Sequence, residues 1–572
     1  MISVNNKKTL KASLFLCVVL GLLLWPFPQA AICAENTSEA FYHYMSGLYS
    51  SLNGKYKEAL PEYEKALLAD PTSPFLAVEL ATLYTRMGNI DKAIIVCERS
   101  LKDNPDYADT YLILGGLYLH TRQYDRAIEV YRKALSLKPG NLESYLYLSV
   151  IYAETKQYAE AIDVLQQMLK ADPDNVMGHY YMGKIYAEMR RYREAEQWFL
   201  KTLELKPSFE TALSDLALLY ELQGKNDQAR EIYIKMIAQH PGRASTRVKL
   251  GKLLLRDRKY EEAVGQFHEI LKRDPANREV RFTLGLIYYE WNKHDEAIAE
   301  FSEVLKNFPN DDETLYFRAA AYGEKKLYRE ALADLNKIPV SADLYATAQI
   351  QIGVILKKQN RPQEAIEVTK RAMQVKKGDP ALYGFLASLY EDAKDFKTAE
   401  QTLLDGLAVA PANADLHYRL GVLYEKTDRF NESMKQMEEV LKIEPESAEA
   451  LNFIGYSYAD RGIKLQEAEA LIRKALELRP GDGYITDSLG WVYFKQNRIE
   501  EAIRYLEEAL RILPDDPAIA EHLGDAYARN GRVQDAIEKY KLVLQLKPDA
   551  EKVREVIGLL EELNEGWKAV AT

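Results

Sequence analysis

Eight histidines, three cysteines and 86 acidic residues are the groups in this 572-residue chain with the chemistry for catalysis or metal binding. The histidines are scattered from His43 to His522 and never take the close helical spacing that aims two imidazoles at one metal. His120, His179 and His417 are expected as surface or partly packed side chains. Cys17 and Cys33 fall in the first 34 residues, which leaves Cys97 alone and without a disulfide partner. Acid pairs such as Asp311-Asp312 and Asp515-Asp516 sit in turns, where water solvates them. HExxH, CxxC, a Gly-rich phosphate loop and GxSxG do not occur. An enzyme would need paired carboxylates facing one another, and the acids are dispersed. No cofactor and no metal is implied, and the chain reads as non-enzymatic.

The elements that position these groups are copies of one unit. Ala108 to Asn141 shows it: Tyr111, Leu114, Gly115 and Tyr118 share one helix face, and Ala127, Ile128, Tyr131, Ala134 and Leu135 share another. Gly115 and Ala127 have almost no side chain, so the two helices should approach closely where they cross. Pro139 then ends the second helix. Fifteen copies begin at Ala40, Pro74, Ala108, Leu142, Val176, Glu210, Ala244, Arg278, Asp312, Ala346, Pro380, Ala414, Ala448, Gly483 and Pro517. The Gly115 place holds Gly, Ala or Ser in all fifteen, and the Ala127 place holds Ala in all but the one with Ser433. Of 21 prolines, 13 keep the Pro139 phase, which scattered prolines would not do.

The unit resembles the tetratricopeptide repeat, and the resemblance covers nearly all of the chain after residue 39. It implies an all-α fold, a right-handed α-solenoid of about fifteen helix-turn-helix units closed by a C-terminal capping helix. The array divides into an N-terminal part at 40–338 and a C-terminal part at 346–548. Pro339 shortens a helix between them, so 339–345 is expected as a bend or hinge. Residues 549–572 form the cap and tail, with an apolar stripe at Val553, Val556, Ile557, Leu560 and Leu563. Cys97 takes the place of Tyr131 in its repeat and is expected as a small buried hydrophobe.

Residues 1–34 read as an address, with 35–39 as a short linker. Lys7, Lys8 and Lys11 form a basic start, and Leu14 to Trp25 is an apolar run too short to span a bilayer comfortably. Cleavage after Ala34 or Cys33 would leave an exported chain, periplasmic or associated with the outer membrane, with no transmembrane span. The competing reading is a lipoprotein anchored through Cys33, although Ala30 and Ile32 depart from the usual lipobox. The stretch from ALNFIGYSYADRG to DGYITDSLGWVYFKQNRIEEAI also looks like a pairing found in bacterial repeat proteins of the envelope. Net charge is −11, and an acidic chain is a poor partner for phosphate backbones, so nucleic acid is disfavoured.

In tetratricopeptide proteins the other face of each first helix lines a concave groove where partners bind. Carried over, the resemblance places Phe41, Tyr44, Phe75, Tyr180, Phe282, Tyr289, Tyr418, Tyr456, Tyr484, Asp487, Trp491 and Phe494 in that groove. Part of this set must fill the seams between neighbouring first helices. Trp491, Tyr484 and Phe494 stand out because large aromatics dominate binding hot spots. The Lys, Arg and Asn set that clamps a C-terminal carboxylate in chaperone-tail binders is missing. The reading that follows is a scaffold for protein partners, among them envelope or export machinery. The alternative is a glycan stacked on Tyr484 and Trp491 beside Asp487.

Overall fold

The computed structural model describes residues 38–571, with side chains to Glu561. The expected export segment, residues 1–34, lies outside them. The described residues form 31 helices: fifteen antiparallel pairs in chain order and a last helix, Glu551–Ala571. In repeat 3, helix A is Ala108–His120 and helix B is Tyr124–Leu137, and most other repeats match these 13- and 14-residue lengths.

Local chemistry sets the helix ends. Helix A is often capped by a side chain just before it, as when Asn141, Asn175 and Asp311 accept from backbone N–H groups of the first turn. Helix A ends in a residue with positive φ in every repeat, the fifteenth of the unit, from Gly54 (73°) through Arg122 (59°) to Gly531 (82°). At this fifteenth place only Gly54, Gly88, Gly224, Gly462 and Gly531 lack a Cβ. Gly224→Ala should therefore cost about 1–2 kcal/mol in urea melts, the left-handed penalty of an L-residue. Repeat 13 carries its extra residue here, and Lys464 supplies a second left-handed position.

The phased prolines have a use beyond ending helix B. The fourth residue of the next helix A donates back to the proline carbonyl: Tyr111 to Pro105 at 2.9 Å, His179 to Pro173 at 2.8 Å, Arg281 to Pro275 at 2.7 Å. Where proline is missing, Tyr383 makes the same bond to Lys377. His179 and His417 are thereby explained as structural donors.

In several repeats the small residue of helix A receives a side chain of helix B. At Gly421 and Gly455 the backbone carbonyls of Ser433 and Ala468 also come within 3.3 and 3.0 Å of a Cβ placed there, the close approach expected at the Ala127 place. A Cβ on Gly115 would stand 2.6 Å from the Tyr131 ring, and one on Gly183 2.6 Å from Phe199. In repeat 2 both places hold small residues, Ala81 and Cys97, and both are buried. Cys97 is fully buried, and burial pushes its thiol up to about 12, so it is an inert apolar filler.

Neighbouring repeats are joined by a second device. The eleventh residue of helix A is usually Tyr, and its hydroxyl donates to a glutamate on the preceding helix B. Examples are Tyr118 to Glu98 (2.5 Å), Tyr424 to Glu400 (3.0 Å) and Tyr527 to Glu507 (2.6 Å). An arginine from the same repeat as the tyrosine covers its ring: Arg126, Arg429 and Arg532 each stand 4.1 Å from the centroid. Arg126 and Arg429 also pair with the glutamate.

The chain separates into two compact units, Met1–Ile270 and Leu271–Thr572. The division falls in the last turn of the repeat 7 B helix, Tyr260–Leu271. Each unit has its own apolar core of these interlocked helices. Pro339 does shorten the B helix of repeat 9, which is only Tyr328–Leu335. The core nevertheless runs on past it, since Leu315, Leu335, Ile338, Ala348 and Ile352 form one cluster. An ion pair with a buried carboxylate sits beside it: Arg318, itself half-buried, holds both Asp334 oxygens, at 2.7 and 2.8 Å, and also donates to Ser302. Beyond repeat 15, Val553 and Ile557 of the last helix join the core of the second unit, and Lys552, Arg554 and Glu555 face water. Among the described residues no helix is long and apolar enough to cross a membrane.

Candidate functional site

The residues expected on the partner-binding face fall into three groups. Phe41 and Tyr484 are exposed, at 61% and 59%. Tyr44, Phe75, Phe282, Tyr289, Tyr418, Tyr456 and Phe494 are half-buried. Tyr180, Asp487 and Trp491 are buried. The half-buried rings each lean on a neighbouring helix and keep part of their surface free. Tyr44 meets Phe75 edge-on at 5.2 Å, Phe282 meets Phe317 at 5.7 Å, and Tyr418 meets Phe453 at 6.0 Å. Tyr180 is drawn into a seam because Phe209 packs on its ring and its hydroxyl donates to Asp215 at 2.8 Å.

Repeats 13 to 15 bring the largest set together. The Trp491 ring lies between Phe494, 4.9 Å away and nearly parallel, and His522, 4.1 Å away and nearly parallel. Trp491 is only 7% exposed, so it does not form the open aromatic platform expected of it. Its N–H points towards Asp460 at 3.4 Å, and the Lys495 ammonium stands 4.8 Å from the ring. Arg529 covers the Phe494 ring at 5.2 Å. Asp487 is buried because both its oxygens hold His522 Nδ1, at 3.0 and 3.1 Å. Tyr456 looks onto the same place. Burial first, then the carboxylates of Asp460, Asp487 and Glu521, push its hydroxyl up to about 12.

His522, the sixth residue of its helix A, was not among the residues expected here, and its sequence position alone carries no signal for it. Burial would lower its pKa. The hydrogen bond and charge of Asp487, with Asp525 and Glu521 behind it, outweigh burial, and the net shift is upward from 6.5. The contact of imidazolium with carboxylate is therefore a stabilising one that is fully present below a pH of about 6.5. It fades as pH rises through the raised folded-state value. Asp487→Asn should lower the melting temperature most below about pH 6.5, with the gap to wild type narrowing as pH rises through the raised folded-state value. A gap that did not change with pH would contradict a charged His522.

A cleft of about 400 Å³ opens between the A helices of repeats 11 and 12. Gly384 and Ser388 stand at the places where repeat 12 has Tyr418 and Val422, so the repeat 11 side of the seam is left low. Ser388, Glu391, Phe396, Tyr418, Val422 and Lys426 line it. Glu391 and Lys426 pair across its end at 2.8 Å. Among the described residues, no three of His, Cys, Asp and Glu gather as a metal site.

Family profiles described as tetratricopeptide repeat match residues 42–73, 254–321, 356–411, 414–447, 446–515 and 488–551, together over half of the chain. The chain is a tetratricopeptide-repeat protein. A further profile, the C-terminal domain of cilia and flagella-associated protein 70, matches 72–281 of this repeat protein. A TPR repeat-containing protein, PA4667, of Pseudomonas aeruginosa is 32% identical over 157 residues, 27% of this chain and 26% of that one. The small glutamine-rich tetratricopeptide repeat-containing protein of Dictyostelium discoideum is 38% identical over 58 residues, 10% of this chain and 17% of that one. The chain thus spans about a quarter or less of the curated relatives it matches. Among solved structures, Naa15/Naa10 bound to HypK-THB is similar over 92% of this chain and 97% of its own, at 13% identity and a TM-score of 0.39. Yeast Tom70 is similar over 81% and 96%, at 15% identity and 0.36.

Proposed function

We propose that this repeat protein is a non-enzymatic scaffold that gathers protein partners along the A-helix faces, working in the bacterial cell envelope after export. The observation that carries the reading is the surplus of aromatic surface on those faces. Repeat packing consumes the tyrosines that donate to glutamate and the rings that fill the glycine sites. It leaves Tyr484 59% exposed. It also leaves part of Tyr418 open on a 400 Å³ cleft. Such surface suits a segment of protein with apolar side chains, and the carboxylates of Asp460 and Glu521 beside Tyr456 suit basic ones. The glycan alternative has less behind it, because Trp491 is buried against Phe494 and His522. Export rests on the basic and apolar start of the sequence.

Affinity capture from crosslinked envelope fractions should recover a partner with the wild-type chain and lose it with the Tyr418→Ala, Tyr484→Ala variant. Recovery by both forms would place binding elsewhere. Mass spectrometry of the purified chain should find its first residue at Ala34 or Glu35, and an intact Met1 would remove the export reading.

A further inference from the structure

The A helix of repeat 1, Ser38–Leu52, carries an apolar stripe that no other described element covers. Tyr42, Met45, Tyr49 and Leu52 recur at i, i+3, i+7 and i+10 and are 68%, 46%, 73% and 78% exposed. This is the seam spacing of helices that pack side by side. It is also a different face from the partner-binding one, which Phe41 and Tyr44 occupy. In repeats 2 to 7 and 9 to 15, the residues at the Tyr42 and Tyr49 places are buried, as Leu76, Leu83, Thr110 and Leu117 are, where the preceding B helix packs on the A helix. Repeat 1 thus presents a surface built for a helix, with large side chains where solvent exposure would favour polar ones.

We infer that this face joins two copies of the chain head to head, the two Ser38–Leu52 helices packing antiparallel about a two-fold axis. Three observations favour a second copy. The stripe holds no charged residue, so two identical faces meet without like-charge repulsion. The helix has 15 residues, about 22 Å, long enough for all four side chains to interleave with their counterparts. Those four side chains expose about 500 Å² per copy, or about 1,000 Å² in the pair, the area at which a specific interface begins. The far end offers no matching stripe: the last helix covers repeat 15 and turns Lys552, Arg554 and Glu555 outward among Val556 and Leu559.

Light scattering on the full chain tests this, beside a Tyr42→Glu, Tyr49→Glu variant whose fold is checked by circular dichroism. Wild type should have twice the mass of one chain and the variant half of the wild-type value. A wild type of single mass at high micromolar concentration overturns the inference. A photoreactive benzoylphenylalanine in place of Tyr42, in a mixture of heavy- and light-isotope chains, should join heavy to light peptides within residues 38–52. Crosslinks to residues 1–37 of the same chain, or a double mass that survives in the folded variant, would overturn it equally.

Discussion

Asp334→Ala is expected to cost about 3–5 kcal/mol and to melt repeats 9 and 10 ahead of the rest of their unit. Asp334 is 2% exposed, and the Arg318 guanidinium grips both of its oxygens. The attraction of this pair offsets the cost of taking two charges out of water. Removing Asp334 leaves the half-buried Arg318 guanidinium charged and without its carboxylate, and Arg318 cannot discharge by losing a proton. Ser302 would remain as one acceptor, which is too little for a guanidinium. Hydrogen exchange is the measurement that localises the loss: amides of Asp312–Glu324 and Tyr345–Lys358 should lose protection, while those near repeat 14 keep theirs. An even loss across the unit would mean that the pair is not a local strut. Replacing both residues by Leu should recover much of the stability, since the site would hold no charge at all.

Gly115→Ala is the second test, with an expected cost of about 1–3 kcal/mol from overpacking. The new methyl would meet three atoms of the Tyr131 ring at 2.6 to 2.8 Å. Tyr131 has no room to retreat, being fully buried. The chain itself suggests the remedy. Repeat 4 sets Ser149 opposite the Leu165 place and repeat 11 sets Ala387 opposite Leu403, with all four residues buried. Tyr131→Leu should therefore recover part of the loss when combined with Gly115→Ala. That change also removes a buried hydroxyl with no hydrogen-bond partner. A double variant as unstable as the sum of the two single ones would show that the two positions do not face each other.

The repeat is legible in the sequence because its determinants are local. Small residues at the Gly115 place, apolar stripes at helical spacing and a proline every 34 residues recur in one phase. The helix pairs follow from them, and so does the terminal helix, whose stripe has nowhere else to go. Less of the joining chemistry shows. Tyr118 reads as apolar core from its spacing, yet its hydroxyl reaches Glu98 in the preceding repeat. A hint was present in the choice of Tyr over Phe at that place, repeat after repeat, since only Tyr has a hydroxyl to satisfy. The positive φ of Arg122 and its equivalents gave no such hint, because arginine is an uncommon choice there.

The A-helix face is legible only in outline. Spacing tells which residues point away from the partner helix B. It does not tell which of them the next repeat covers. Trp491 is the instructive case: its place on the helix matches an outward residue, and His522 of repeat 15 closes over it. Tyr484 lies on the same helix and stays 59% exposed. Such differences arise between repeats, from pairs of side chains that the periodicity does not relate.

The claim that partners bind the A-helix faces is tested most directly by site-specific photocrosslinking in living cells. A photoreactive residue in place of Tyr484 should capture a distinct protein, and the same residue in place of Glu508, exposed on a B helix, should not. Capture from Glu508 with none from Tyr484, Tyr418 or Phe41 would put the binding surface on the B helices and contradict the account.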